Sequence, residues 1–244
     1  MAAVAVASPA KRAREDEAPA AAADAAKPVL YSYWRSTCSW RVRIALALKG
    51  IDYEYKAVHL LKDGGEQLKD EFAALNPMRE VPALVIDGNT LTQSMSIIEY
   101  LEDTRPTAGV KLLPGSAAER AKVRAMAQMI GCDIQPVQNL RVLKRFMAEF
   151  STQEEKDAKK LEWGKWVIET GFRGLEAALS TTAGKYACGD EVTLVDVLLV
   201  PQEYNAGRFG VDMSAFPTIA RVCAAAKELP AFKAADPSEM PDKF

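Results

Sequence analysis

The sequence predicts an α/β unit built on a mixed four-stranded sheet, followed by an all-helical unit. Three observations carry this. Strand-like and helix-like segments alternate from residue 28 to about residue 102. An Asp87-Gly88 pair sits between two short β-rich runs, a strong hairpin signal. Beyond a segment punctuated by Pro106, Gly109, Pro114 and Gly115, only helical periodicity remains.

The elements follow in order. Residues 29–34 read as a buried strand, and residues 38–49 as a helix whose Val42, Ala45, Leu46 and Ala47 share a face and whose stop is Gly50. Residues 53–60 read as a second strand. Residues 66–75 make a short helix ended by Asn76-Pro77, since proline biases its predecessor away from helix. Residues 82–86 and 90–92 are the hairpin strands, and 94–102 a further helix. The order β-α-β-α-β-β-α, a parallel βαβ unit and then a hairpin and helix, is the thioredoxin-like arrangement. The expected organisation is a disordered tail over 1–27, the thioredoxin-like domain over 28–105, a linker over 106–116, a helical domain over 117–235 and a flexible tail over 236–244. In the helical part Val123, Met126, Ile130 and Ile134 recur at helical spacing, as do Leu161, Ile168, Phe172, Leu175 and Leu179. Thr193 to Asp196 reads as a capping box that opens an almost wholly apolar, hence buried, helix.

Composition excludes several classes of function. A formal net charge of -2 argues against nucleic acid or an anionic membrane as partner. No apolar run approaches the roughly 20 residues of a membrane span. The four cysteines, Cys38, Cys132, Cys188 and Cys223, are scattered, which suits a reducing compartment and a cytoplasmic location. A single histidine, His59, leaves no usual zinc constellation and reads as an ordinary surface or strand histidine. No phosphate-cradling glycine motif occurs. Residues 1–27 are alanine-rich, with too little hydrophobic pattern to offset their ordering entropy. The MAAVAVA start lacks a signal-peptide core, the acidic residues count against a transit peptide, and KRAR reads as solvated charge rather than an import signal.

Chemistry concentrates where the first strand meets the first helix, at Ser36, Thr37 and Cys38. Small hydroxylated residues are preferred helix caps, so capping is the plain reading. The same helix end carries partial positive charge and suits an anion, in particular a thiolate. Cys38 could supply it, but Arg41 stands where a second cysteine would complete a redox pair. Alternatively the thiolate belongs to a bound cofactor, and a hydroxyl at the turn favours its ionised form by donating to it. Val81-Pro82, where a cis proline would expose the Val81 backbone to an extended peptide, and Gln93-Ser94 at another helix start fit the tripeptide glutathione.

With these motifs the sequence resembles the zeta-class glutathione transferases. The resemblance is carried by SYWRSTCSWRVRIALALKG, LNPMREVPAL, QSMSIIEYLEDTRP, IQPVQNL and GDEVTLVDVLLVPQ, and spans about residues 28 to 235. It implies glutathione as cofactor, with Ser36 as the activating hydroxyl and Thr37 and Cys38 tuning it. Gln67, Val81, Gln93 and Ser94 would hold the tripeptide, with Ser39, Trp40 and Arg41 completing that wall. Gln135, Asn139, Leu140 and Arg141 would approach from the helical domain. Arg208 would meet an acidic substrate, and Arg41 would add positive charge. Two positions depart from the family: Thr37 where serine is usual, and Arg141 where a small residue is common.

The activity this implies is glutathione-dependent cis-trans isomerisation of a small acidic electrophile, maleylacetoacetate, in tyrosine and phenylalanine breakdown, with transferase and haloacid-dehalogenating side reactions. A homodimer is implied as well. Two rival readings are a transferase or peroxidase for other electrophiles, and a noncatalytic fold relative acting as an interaction module.

Overall fold

The computed structural model describes residues 26–243. Nearly all of the expected N-terminal tail, with its MAAVAVA and KRAR segments, lies outside the described residues. The sheet contains β1 (Val29–Ser32), β2 (Glu54–Ala57), β3 (Ala83–Ile86) and β4 (Asn89–Thr92) in the order β2-β1-β3-β4. β1 runs parallel to β2 and antiparallel to β3, and β3 antiparallel to β4, giving the mixed sheet of a thioredoxin-like unit. Asp87 and Gly88 both take positive φ, 52° and 74°, as the two-residue hairpin turn requires. β1 and β2 are shorter than the expected runs 29–34 and 53–60; Tyr33 to Arg35 leave the ladder to build the turn before the first helix.

That helix, α1 (Thr37–Leu48), departs most from expectation. In place of one apolar face it is buried almost all round, Arg41, Arg43 and Lys49 included. Its packing explains this, since it lies against α3 (Ser94–Thr104), α7 (Leu194–Arg208) and α9 (Pro230–Ala234). Each buried cation finds a partner: Lys49 Nζ lies 2.5 Å from Glu102 Oε1, and Arg43 donates to Ala235 O, Ser32 Oγ, Tyr33 O and Trp34 O. Desolvation holds the Arg43 guanidinium below the ordinary arginine range. The expected helix over 66–75 splits into a 3-10 turn, Glu66–Leu68, and α2 (Asp70–Ala73), because Lys69 between them is extended.

The rest is helical: α4 (Ala117–Gln128), a π-helical segment Met129–Ile134, a 3-10 turn Pro136–Gln138, α5 (Leu140–Met147), α6 (Gln153–Leu179), α7, α8 (Pro217–Lys227) and α9. Asp196 closes the capping box of α7 from a buried position, accepting from Ala187 N, Thr193 N and Thr193 Oγ1. Segment 106–116 is knitted to both sides: Leu112 and Leu113 are buried, Val110 N donates to Leu48 O, and Leu194 N to Leu112 O. One continuous apolar core runs from Leu30 and Leu84 through Ile44, Ile98 and Leu112 to Val197 and Leu198, so the sheet unit and helical unit share a single interior. A smaller cluster, Tyr33, Val58, Phe72, Val81 and Ala83, is separate from it.

Where the sequence reading expects a flexible tail, residues 236–243 fold back on the sheet unit. Asp242 accepts from Trp34 N at 3.1 Å and from the Tyr55 hydroxyl at 2.7 Å, while Pro237 and Met240 are buried. The physical reason lies far along the chain: the turn before α1 leaves the Trp34 amide outside the ladder, and the Asp242 carboxylate, 208 residues on, satisfies it.

Candidate active site

The first turn of α1 is shaped by its cap. Ser36 is extended at φ -70° and ψ 117°, and its Oγ accepts from Ser39 N at 3.2 Å. A hydroxyl that accepts from the helix still has its own hydrogen to donate. The capping and activating readings of Ser36 are therefore compatible in one geometry. Thr37 is buried, so the methyl it adds faces protein and not solvent, and Cys38 is half-buried beside it. Ser39 and Trp40 are enclosed in the interior, Trp40 edge-on to Tyr204 at 5.5 Å. They support the turn from behind.

Gln93 and Ser94 open α3, but neither acts as its side-chain cap. Gln93 is exposed, makes no capping bond and holds φ 66°, an uncommon conformation for a residue with a Cβ. Ser94 Oγ accepts from Arg41 Nη1 at 3.3 Å across the interior. Arg41 is only 2% exposed, and its Nε and Nη2 have no partner among the described residues. The guanidinium is thus enclosed behind Ser94, itself buried, where the sequence reading expects it to face a substrate.

The loop before β3 is built by Asn76, which donates from Nδ2 to Glu80 O and accepts from Met78 N. The following Val81-Pro82 peptide is cis. Gln67 is buried, with its Oε1 unpartnered among the described residues. From the helical side Asn139 caps α5 through Arg141 N, and Arg141 Nε lies 3.6 Å from Glu80 Oε1, tying α5 to the cis-proline loop. Gln135 and Leu140 are half-buried at the ends of this connection.

Arg208 closes α7, and Asn205 Oδ1 accepts from its Nη1 at 3.0 Å. The residue as a whole is exposed while its guanidinium end is partly enclosed. That burial, and then the like charge of Arg35, holds it below the ordinary arginine range. Arg35 is a residue that sequence reasoning missed. It stands one position before Ser36, over the Trp34 ring at 5.2 Å. Among the described residues no carboxylate pairs with Arg35 or Arg208. The available signal was its place within the motif, but a lone arginine in a turn reads as solvated.

The remaining reactive side chains are elsewhere. His59 Nδ1 accepts from Leu61 N and Lys62 N and its ring meets Tyr33 edge-on, a turn-forming role. All four cysteines are free thiols. Burial pushes the Cys188 thiol up to about 11 and that of Cys223 well above its usual range.

The residues present fit a thiol tripeptide. A free hydroxyl hydrogen sits at a helix N-terminus, an unpartnered buried acceptor waits on Gln67, and a buried guanidinium backs the Ser94 hydroxyl.

Comparisons with known proteins agree. Residues 35–104 match the family described as glutathione S-transferase, N-terminal domain. The chain is 52% identical over 216 residues to maleylacetoacetate isomerase of Dictyostelium discoideum, covering 88% of this chain and 96% of that one. It is 51% identical over 218 residues to maleylacetoacetate isomerase of Mus musculus, covering 89% and 96%. Among solved structures, the holo form of maleylpyruvate isomerase, a bacterial glutathione S-transferase in the zeta class, superposes with TM-score 0.82 at 46% identity, covering 88% of this chain and 100% of that one. A crystal structure of maleylacetoacetate isomerase from Anaeromyxobacter dehalogenans with bound GSH in the active site gives TM-score 0.78 at 43% identity, covering 89% and 98%.

Proposed function

The chain belongs to the zeta class of glutathione transferases, the family of maleylacetoacetate isomerase, and from that premise we propose that it isomerises maleylacetoacetate to fumarylacetoacetate with glutathione as cofactor. The observation that carries the substrate class is the pair of uncancelled guanidinium groups, Arg35 and Arg208, beside the turn that holds Ser36. Two cations without protein carboxylates suit a substrate that brings its own two carboxylates, with planar forks matched to each.

Glutathione, when bound, supplies a thiolate whose reversible addition turns the substrate's double bond into a rotatable single bond. The chain's own residues make this possible. Ser36 donates its free hydrogen toward the sulfur position while staying anchored to Ser39 N, which lowers the cost of ionisation at neutral pH. The N-terminus of α1 adds its partial positive charge. Ser94 presents a hydroxyl whose hydrogen is left free because Arg41 occupies it as a donor, so it can donate to a carboxylate of the tripeptide. Arg208 and Arg35 orient the substrate carboxylates and stabilise the negative charge that develops on the substrate. Gln135, Asn139, Leu140 and Arg141 form the wall on the helical side.

The place in tyrosine and phenylalanine breakdown, a haloacid-dehalogenating side reaction and a homodimeric state belong to the same reading. Leu61, Leu68 and Met78, each about half exposed on the sheet unit, supply apolar surface for a second copy, and four free thiols suit a reducing cytoplasm. The test is an isomerase assay on maleylacetoacetate or maleylacetone with and without glutathione. Turnover that needs glutathione and loses affinity for the acidic substrate in Arg35→Ala supports the proposal. Glutathione transfer to neutral electrophiles with no isomerisation would point to the general transferase instead.

A further inference from the structure

Arg208 is not simply a surface arginine, because a line of buried amides runs from it into the helical unit. Gln202, Asn205 and Arg208 follow one another at three-residue spacing along one side of α7. Gln138 comes across from the Pro136–Gln138 turn. Arg208 Nη1 donates to Asn205 Oδ1 at 3.0 Å, Asn205 Nδ2 to Gln138 Oε1 at 3.3 Å, and Gln138 Nε2 to Gln202 Oε1 at 3.1 Å. Gln202 is fully enclosed, and Gln138 and Asn205 are nearly so.

The polarity of this line follows from its cationic end. An arginine has donors only, so it requires the oxygen of Asn205 to face it. The Asn205 nitrogen must then meet the oxygen of Gln138, and the Gln138 nitrogen the oxygen of Gln202. The line stops at Gln202 Nε2, which is buried without a partner among the described residues. Bonds arranged in series in a low dielectric polarise one another, and every oxygen here points toward the guanidinium. The contrast with Lys49 is informative. That buried cation is paired with the Glu102 carboxylate, which cancels its charge, whereas Arg208 is held by the neutral oxygen of Asn205, which orients it and leaves its charge in place.

We propose that Gln138, Asn205 and Gln202 are positioning residues that fix the Arg208 guanidinium and keep its charge available to a carboxylate of the substrate. This rests on the reading of Arg208 as a substrate-binding group. The sequence motif placed Gln135 and Asn139 at the site and passed over Gln138 between them, yet Gln138 alone of the three joins this line.

The experiment compares Gln138→Leu, Asn205→Asp, Arg208→Ala and the double variant Gln138→Leu/Arg208→Ala. Each is assayed with maleylacetone and with a neutral chloro-dinitrobenzene, glutathione being saturating. Gln138→Leu should raise KM for maleylacetone about 5-fold to 10-fold with little change in kcat, the pattern of lost uniform binding. Its rate with the neutral electrophile and its KM for glutathione should stay unchanged. Asn205→Asp, nearly isosteric, sets a carboxylate against Arg208 and should raise KM about 10-fold or more by cancelling the charge. It also keeps the test decisive if Gln138→Leu folds poorly. In the Arg208→Ala background Gln138→Leu should add nothing further, the sign that it acts only through Arg208. Equal losses with both electrophiles, an undiminished effect without Arg208, or no effect of either amide variant overturns the proposal. If Arg208→Ala itself leaves KM for maleylacetone unchanged, the substrate role of Arg208 fails, and the positioning role fails with it.

Discussion

Ser36 caps its helix, and the activating role proposed for it is one that Ser36→Ala removes together with the cap and Ser36→Asp separates from it. In Ser36→Ala the Ser39 amide loses its acceptor, a single cap bond of 3.2 Å, so stability should fall by about 1 kcal/mol. For a chain of this size that lowers Tm by roughly 2–4 °C. If the hydroxyl also donates to the glutathione sulfur, kcat should fall roughly 10-fold to 1,000-fold, the scale of one lost donor at developing charge. Ser36→Asp keeps an acceptor for Ser39 N and places a negative charge at a helix N-terminus, which is stabilising. Its Tm should therefore match or exceed that of Ser36→Ala. Its catalysis should be worse, because a carboxylate has no hydrogen to donate and repels a thiolate. The assay is a melt for both variants, a turnover measurement, and a titration of the bound thiol by its ultraviolet thiolate band. In both variants that titration should move toward the ordinary thiol range. Retained turnover in Ser36→Asp, or an unchanged thiol titration in Ser36→Ala, would refute the assignment. Turnover abolished by Cys38→Ala instead would transfer the role to Cys38.

Three further outcomes follow from the geometry. Lys49→Met leaves the buried Glu102 carboxylate without its cation and should cost about 3–5 kcal/mol, with Lys49→Met/Glu102→Gln recovering most of the loss in a urea melt. Asp242→Asn weakens the charge-assisted bonds to Trp34 N and the Tyr55 hydroxyl; kcat/KM should fall about 10-fold through displacement of the neighbouring turn, while Asp242→Ala should be worse and glutathione-independent folding nearly intact by circular dichroism. In thiol labelling at pH 8, exposed Cys132 should react first, half-buried Cys188, pushed up to about 11 by burial, much more slowly, and enclosed Cys223 only on unfolding.

How much of this was readable in the sequence depended on how far each residue's partner lies along the chain. The Asp87-Gly88 turn, the Val81-Pro82 loop and the Thr193 to Asp196 cap are written within a few neighbouring residues, and the element order came from them. The surroundings of α1 were not. The burial of Arg41, Arg43 and Lys49 carries no local sign, because Ser94, Ala235 and Glu102, which they meet, stand 53 or more residues away. The face drawn through Val42, Ala45, Leu46 and Ala47 described a helix covered on one side, whereas three helices cover this one. Arg35 and Gln138 went unremarked for the same reason: an arginine in a turn and a glutamine after a proline carry no local pattern, and only the fold sets them against Arg208 and Asn205.

The peptide between Tyr33 and Arg35 is gripped from two sides, its amide by Asp242 and its carbonyl by Arg43, which also holds Ala235 O. Asp242 lies 208 residues downstream of Trp34, so during synthesis the turn carrying Ser36 leaves the ribosome long before its brace exists. A chain broken off after Ala235 would possess every residue assigned to glutathione and still lack the clasp on the loop that presents them. The residues around Asp242 thus act as a late-arriving seal on a turn 208 residues before them, and a change there is felt at the loop that presents Ser36.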